Sequence, residues 1–254
     1  MPLLEPTTLA ILVLVAFLTS ILSAIVGMAG GIVLLTVMLL FLDPLEAIPI
    51  HGAVQLISNG TRTWIQRVHV DRGIVWRYGL LLVPAGFAGL WIAQALDPPI
   101  TRMLIGVFVL FATWAPSLLL LGTHPEAADR NTRFITLGVV VGLIQMTIGA
   151  TGPLIAPFFL NLGLPRQALV GTKAACQALG HLAKIFVFGT AGFAFAAFAG
   201  PLLWLAAAVV AGTWLGSRIL GRVSETLFVR LYMTVLTAIA LRLLLVELWT
   251  LLGA

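Results

Sequence analysis

Residues 9–26 read LAILVLVAFLTSILSAIV and run into Gly27-Met28-Ala29-Gly30-Gly31, after which a second apolar stretch, IVLLTVMLLFL, fills 32–42. Unbroken apolar runs of this kind suit a helix in lipid, where each backbone N–H and C=O must pair within its own segment. A membrane barrel strand would alternate apolar and polar residues over about ten positions, and this stretch does not. The run from Thr7 to Leu42 is too long for one span of roughly 20 residues and too short for two full ones. Each glycine at its centre weakens a helix by about 1 kcal/mol. The pattern therefore predicts a long arm over 7–26 and a short arm over 32–42, folded at the glycines.

The remaining chain follows the same plan. Hydrophobic residues make up 61% of the 254 and charged residues only 9%, against about 25% charged in a soluble domain. With a mean hydropathy of +1.12, the bilayer has to be the solvent. Further apolar segments are predicted over 45–68, 74–96 and 100–121. A second broken region follows over 133–148 and 154–163, then segments over 165–189, 200–220 and 226–252. The fold expected is an all-α integral membrane protein with eight hydrophobic regions and about ten helical segments. Residues 1–121 form an N-terminal repeat, 122–132 a cytoplasmic linker and 133–254 a C-terminal repeat.

Polar residues carry the repeat. Gly27-x-x-Gly30 matches Gly149-x-x-Gly152 at an offset of 122, and the same offset pairs Gln55 with Gln177, Asn59 with His181 and Arg62 with Lys184. Further on, Ala88-Gly89-Leu90-Trp91 matches Ala211-Gly212-Thr213-Trp214. The matched loops differ in charge. Arg67, Arg72 and Arg77 surround one loop whose counterpart at 189–200 is uncharged, while Asp43 and Glu46 have Arg166 as their counterpart. Positive residues favour the cytoplasmic side, so the two repeats are read as inverted. Both termini then lie outside and Arg130 and Arg133 inside.

His51, Gln55, Asn59 and Arg62 recur at steps of four, four and three, which aligns them on one helix face. Lys173, Gln177, His181 and Lys184 repeat the spacing. A charge near the bilayer centre costs about 2.5–3.5 kcal/mol, so such groups face a cavity or a partner. Neither stripe contains a carboxylate, which leaves an anionic ligand to supply the counter-charge. The expected binding residues are Gln55, Asn59, Arg62, Gln177, His181 and Lys184. Gly27, Gly30, Gly31, Gly149 and Gly152 join them, since helices restarting there expose unpaired N–H groups. His51 and Lys173 are assigned to the pathway. Plainer roles stay open: the amides as bonds between helices, Arg62 and Lys173 as side chains reaching headgroups, and the histidines as structural.

Other classes find little support. Phosphate-cradling G-x-x-x-x-G-K-[ST] loops are missing, as are H-E-x-x-H and G-x-S-x-G motifs. Cys176 is the single cysteine, which rules out an internal disulfide or a cysteine metal cluster. No enzyme activity, cofactor or metal is expected. The net charge of +5 is spread over helix ends, unlike a nucleic-acid patch. MPLLEPTT has no basic region before its apolar run, unlike a cleaved signal peptide.

The segment from Ser23 to Arg67, SAIVGMAGGIVLLTVMLLFLDPLEAIPIHGAVQLISNGTRTWIQR, resembles the N-terminal motif of the sulfite exporter TauE/SafE (TSUP) family. The segment from Gly142 to Lys184, GLIQMTIGATGPLIAPFFLNLGLPRQALVGTKAACQALGHLAK, resembles its second-half motif. Where that family's first motif usually reads closer to G-x-G-G-G, Met28 and Ala29 stand here. The resemblance implies a multi-pass protein of the plasma membrane (in bacteria the inner membrane) that moves sulfite, sulfonates or related sulfur-containing anions. The partners expected are that small anion and the lipid bilayer, with room left for a homo-oligomer. A secondary transporter using alternating access is the first reading. A passive anion channel and an uptake permease for organosulfonates are the alternatives.

Overall fold

Asp-Pro pairs open two of the helices, with Asp43 and Asp97 at the N-caps and Pro44 and Pro98 as the first helical residues. Proline suits that position because its missing N–H would have no helical partner there. Asp71 and Asp129 cap two more by accepting bonds from Ile74 N (3.1 Å) and from Asn131 N (2.8 Å) and Thr132 N (3.2 Å). The computed structural model describes residues 4–26, 30–121, 124–159, 162–219 and 225–252, and within them only helices, turns and short connections occur. The helices are α1 (Pro6–Val26), α2 (Gly30–Met38), α3 (Pro44–Ile65), α4 (Arg72–Gly79), α5 (Leu82–Ala95), α6 (Pro98–Trp114), α7 (Arg130–Thr147), α8 (Gly152–Ile155), α9 (Arg166–Thr190), α10 (Ala199–Ile219) and α11 (Glu225–Leu251). Gly27, Met28 and Ala29 lie outside the described residues.

Three expected segments are more divided than their apolar runs suggest. The stretch 74–96 is two helices, α4 and α5, meeting at a bend of 42°. Pro84, in the first turn of α5, has no N–H to offer the carbonyl of Leu80, so the ladder is interrupted there. In the 100–121 stretch α6 stops at Trp114, and Pro116–Leu120 forms a 3₁₀ turn; a residue before proline avoids helical geometry. Beyond the second break, α8 lasts four residues before another 3₁₀ turn, Ala156–Phe159.

The exterior is apolar. All seven tryptophans are more than half exposed, from Trp214 at 56% to Trp91 at 74%. Water would not tolerate such a surface on a soluble protein, but lipid and its headgroup boundary do. Among the described residues, three helices are long and apolar enough to cross a membrane, or four if the bent α4–α5 pair counts as one span. The long helices α3 and α9 fall outside that set because their polar stripes lower the hydropathy. They lie inside the bundle instead.

Small residues set how the helices pack. The most extensive interfaces are α1 with α10, α5 with α7, α3 with α9, and α6 with α11. A Cβ at Gly89 of α5 would collide with the backbone carbonyl of Leu143 in α7, and one at Gly212 of α10 with that of Phe17 in α1. Gly138 and Gly142 of α7 lie equally close to the carbonyls of Tyr78 and Leu82. Such contacts bring helix backbones together in lipid, where packing and not exclusion of water drives association. Helix directions follow from the contacts. Near the start of α3, Gly52 faces Lys184 near the end of α9, while Gln66 beyond the end of α3 faces Gly171 near the start of α9. The two helices are therefore antiparallel.

Each end of the bundle has its own ion pairs. At the start of α3, Arg102 of α6 reaches Asp43 (2.5 Å) and Glu247 of α11 (3.4 Å). Beyond the other end of α3, Arg130 pairs with Asp71, and the Asp71 amide donates to Thr172 Oγ1 (2.9 Å). At 22 residues, α3 separates these clusters by about 33 Å at 1.5 Å per residue.

Candidate functional site

Residues flanking the α1–α2 and α7–α8 junctions line one cavity inside the bundle. It is lined by Ser23 of α1, Gly31 and Ile32 of α2, His51, Gln55, Asn59 and Arg62 of α3, Tyr78 of α4, Gln145 of α7, Ala150 to Pro153 and Ile155 around the second break, and Gln177 and His181 of α9. The four-residue spacing on α3 and α9 is what turns both stripes toward it. Among the described residues no carboxylate lines it. The cavity measures about 30 Å³, room for about two waters at roughly 10–15 Å³ each.

Within α3 the stripe is internally braced. Asn59 Nδ2 donates to the carbonyl of Gln55 (3.0 Å), and its Oδ1 accepts from Arg62 Nη2 (3.0 Å). Arg62 also reaches Ser58 Oγ (3.4 Å), so its guanidinium folds back beside the cavity. Gln55 packs its carboxamide against Gly31, where an added Cβ would come within 3.2 Å of it. His51 Nε2 lies 2.8 Å from the carbonyl of Gly31. A carbonyl can only accept, so Nε2 carries the proton of that bond and Nδ1 of the neutral ring holds a lone pair.

The expected residues divide by position. Gly31, Gln55, Asn59, Arg62, Gly152, Gln177 and His181 line the cavity, and so does His51. Gly30 instead packs against α1. Its N–H donates to Ser23 Oγ (3.1 Å), and a Cβ there would overlap the Thr19 carbonyl. Gly149 takes the left-handed conformation, with φ of +82°, which favours glycine. Lys184 is fully buried and donates from Nζ to the Gly149 carbonyl at 2.6 Å. It thus braces the second break as His51 braces the first, and Gly52 leaves the room its stem needs. Lys173 lies outside the lining, within electrostatic reach of Arg62. Gly27 lies outside the described residues.

The sequence reading missed four polar liners: Ser23, Tyr78, Gln145 and Thr151. Gln145 is the one polar side chain in the apolar stretch 137–146 of α7, a signal of interior placement in itself, whereas Tyr78 shares the short α4 with Arg72 and Arg77 and has no such marker. Gln145 Nε2 donates to the Gly180 carbonyl (3.1 Å). Among the described residues the Tyr78 hydroxyl and the Nδ1 atoms of His51 and His181 have no hydrogen-bond partner, although all three are buried. Orphaned polar atoms in a buried cavity mark a place where a ligand or water belongs. Among the described residues the lining therefore offers amides, hydroxyls, two imidazoles and one guanidinium.

A model of the sulfite exporter TauE/SafE family matches residues 12–243, nearly the whole chain. The chain belongs to this family. No curated protein and no solved structure matches it. The TauE/SafE match covers both helix breaks and both polar stripes, so every residue lining the cavity lies inside the family region. At the arginine-rich end of this TauE/SafE protein a second cavity, of about 200 Å³, is lined by Asp71, Ala128, Arg130, Arg133, Leu162 and Leu164.

Proposed function

We propose that the chain is a secondary transporter that exports sulfite or a related small sulfur-containing anion across the bacterial inner membrane by alternating access. The observation that carries this reading is the cavity itself, which among the described residues is rich in donors, holds one guanidinium and has no lining carboxylate. Such a surface complements an oxyanion and is unfavourable for a cation. An inside-negative potential favours export by about 2.3 kcal/mol per 100 mV for each net negative charge carried out. The test is a binding screen of the purified chain against sulfite, sulfate, thiosulfate and small sulfonates. Saturable binding of at least one sulfur oxyanion is expected, and a protein that binds none of them is not such a transporter.

Alternating access draws support from an inverted repeat. The sequence-matched glycines Gly89 and Gly212 each close on a backbone carbonyl of the other half's first helix, and the matched helices α3 and α9 run antiparallel. Arg67, Arg72, Arg77, Arg130 and Arg133 lie toward one end, Asp43, Glu46 and Asp97 toward the other. By the positive-inside tendency the arginine-rich end faces the cytoplasm. An impermeant thiol reagent is then expected to label Ala191→Cys from outside and Val68→Cys only from inside, and the reverse pattern would refute the orientation.

A further inference from the structure

We propose that His51 and His181 form a proton-binding site, loaded together with the anion, so that each anion carried takes a proton with it. This rests on the reading of the central cavity as the anion site. The two imidazoles come from opposite stripes and meet edge to face with centroids 5.8 Å apart. Both line the cavity and both are buried, at 1% and 9% exposure. Each keeps an Nδ1 without a partner among the described residues. For His51 the bond from Nε2 to the Gly31 carbonyl makes that Nδ1 an acceptor in the neutral ring. It offers nothing to an anion until it gains a proton, and then it becomes a donor.

The surroundings decide when the proton binds. Among the described residues, Arg62 of α3 and the Tyr78 hydroxyl of α4 face the pair within the lining, while Lys184 of α9 acts on it from the second break, just outside; the other polar side chains of the lining, Ser23, Gln55, Asn59, Gln145, Thr151 and Gln177, are uncharged. With cations nearby and no carboxylate in the lining among the described residues, a proton added to the empty site meets only like charge. A bound anion supplies the missing counter-charge. Anion and proton therefore favour each other's binding reciprocally, by the same factor. Two neighbouring imidazolium rings repel, so the pair titrates as one unit and takes one proton. The proton comes from solvent, occupies an Nδ1 lone pair and leaves with the anion on the other side of the membrane.

The test uses the full chain in weakly buffered detergent solution with a pH indicator. Thiosulfate is the probe, because it stays ionised around neutrality; sulfite is run beside it with its own proton uptake subtracted. Above the pH at which the empty pair titrates, about one proton is expected to be taken up per anion bound, and anion affinity to fall about tenfold per pH unit. In the double variant His51→Gln, His181→Gln, the anion that still binds is expected to do so without proton uptake and with an affinity independent of pH. Binding by the wild type without proton uptake overturns the proton site and leaves the anion site standing. Uptake that persists in the double variant overturns the assignment to this pair. Failure of the wild type to bind either anion removes the anion site, and the proton site with it.

Discussion

Gln55→Ala and Gln177→Ala are each expected to weaken binding of a small sulfur oxyanion roughly 10- to 150-fold. Both amides line the central cavity, one from each stripe helix, and Gln55 is held in place against Gly31. A hydrogen bond to a charged ligand contributes about 1.5–3 kcal/mol, and about 1.4 kcal/mol corresponds to a factor of ten in affinity. Neither variant introduces a charge or removes a group bracing a helix break, so each is expected to insert and purify like the wild type. Gln66→Ala is the control, because Gln66 lies beyond the end of α3 and outside the lining. Calorimetric titration of the three variants decides the matter. Wild-type affinity in both cavity variants would turn the stripes into bonds between helices and nothing more.

The second large effect is on assembly. Gly89→Leu and Gly212→Leu are expected to leave little or no correctly folded protein. At each position the obstacle is the backbone carbonyl of a facing helix, Leu143 for one and Phe17 for the other, and no rotamer change relieves it. Overpacking of a core costs about 1–3 kcal/mol and sometimes more, and here it falls on the two most extensive helix interfaces of the bundle. Gly60→Ala is the contrast. A Cβ there meets nothing within 4 Å, and alanine favours a helix over glycine by about 1 kcal/mol. Size-exclusion profiles and thermal unfolding of the three variants compare them directly. A well-folded Gly212→Leu protein would mean that α1 and α10 are not packed as described.

Much of the cavity lining could be read from the chain because its helices are periodic. Steps of three and four along 51–62 and 173–184 place Gln55, Asn59, Gln177 and His181 on inward faces without any tertiary information. Gly149 and Gly152 likewise marked the second helix break, between α7 and α8. Lys184 shows where spacing stops being informative. It shares the face of Gln177 and His181, but a long flexible stem lets its ammonium leave the stripe and bond the Gly149 carbonyl. Its charge is thus committed to the break and not to the lining. Gly30 is a similar case, since its role depends on which neighbour its missing Cβ would strike, and that neighbour is α1. Tyr78 reaches the cavity from a helix with no polar stripe, so only the packing of α4 against α9 reveals it. The α4–α5 bend, by contrast, had a local marker in Pro84.

Counterflow in proteoliposomes tests the central claim most directly. Vesicles holding the purified chain are loaded with unlabelled sulfite and diluted into a trace of radiolabelled sulfite. A carrier with a single anion site reached alternately from the two sides is expected to accumulate label transiently above its equilibrium level. The Gln55→Ala, Gln177→Ala double variant is expected to lose that overshoot. Label that rises only to equilibrium in wild-type vesicles, with no overshoot at any loading concentration, would contradict the account and indicate a passive pore.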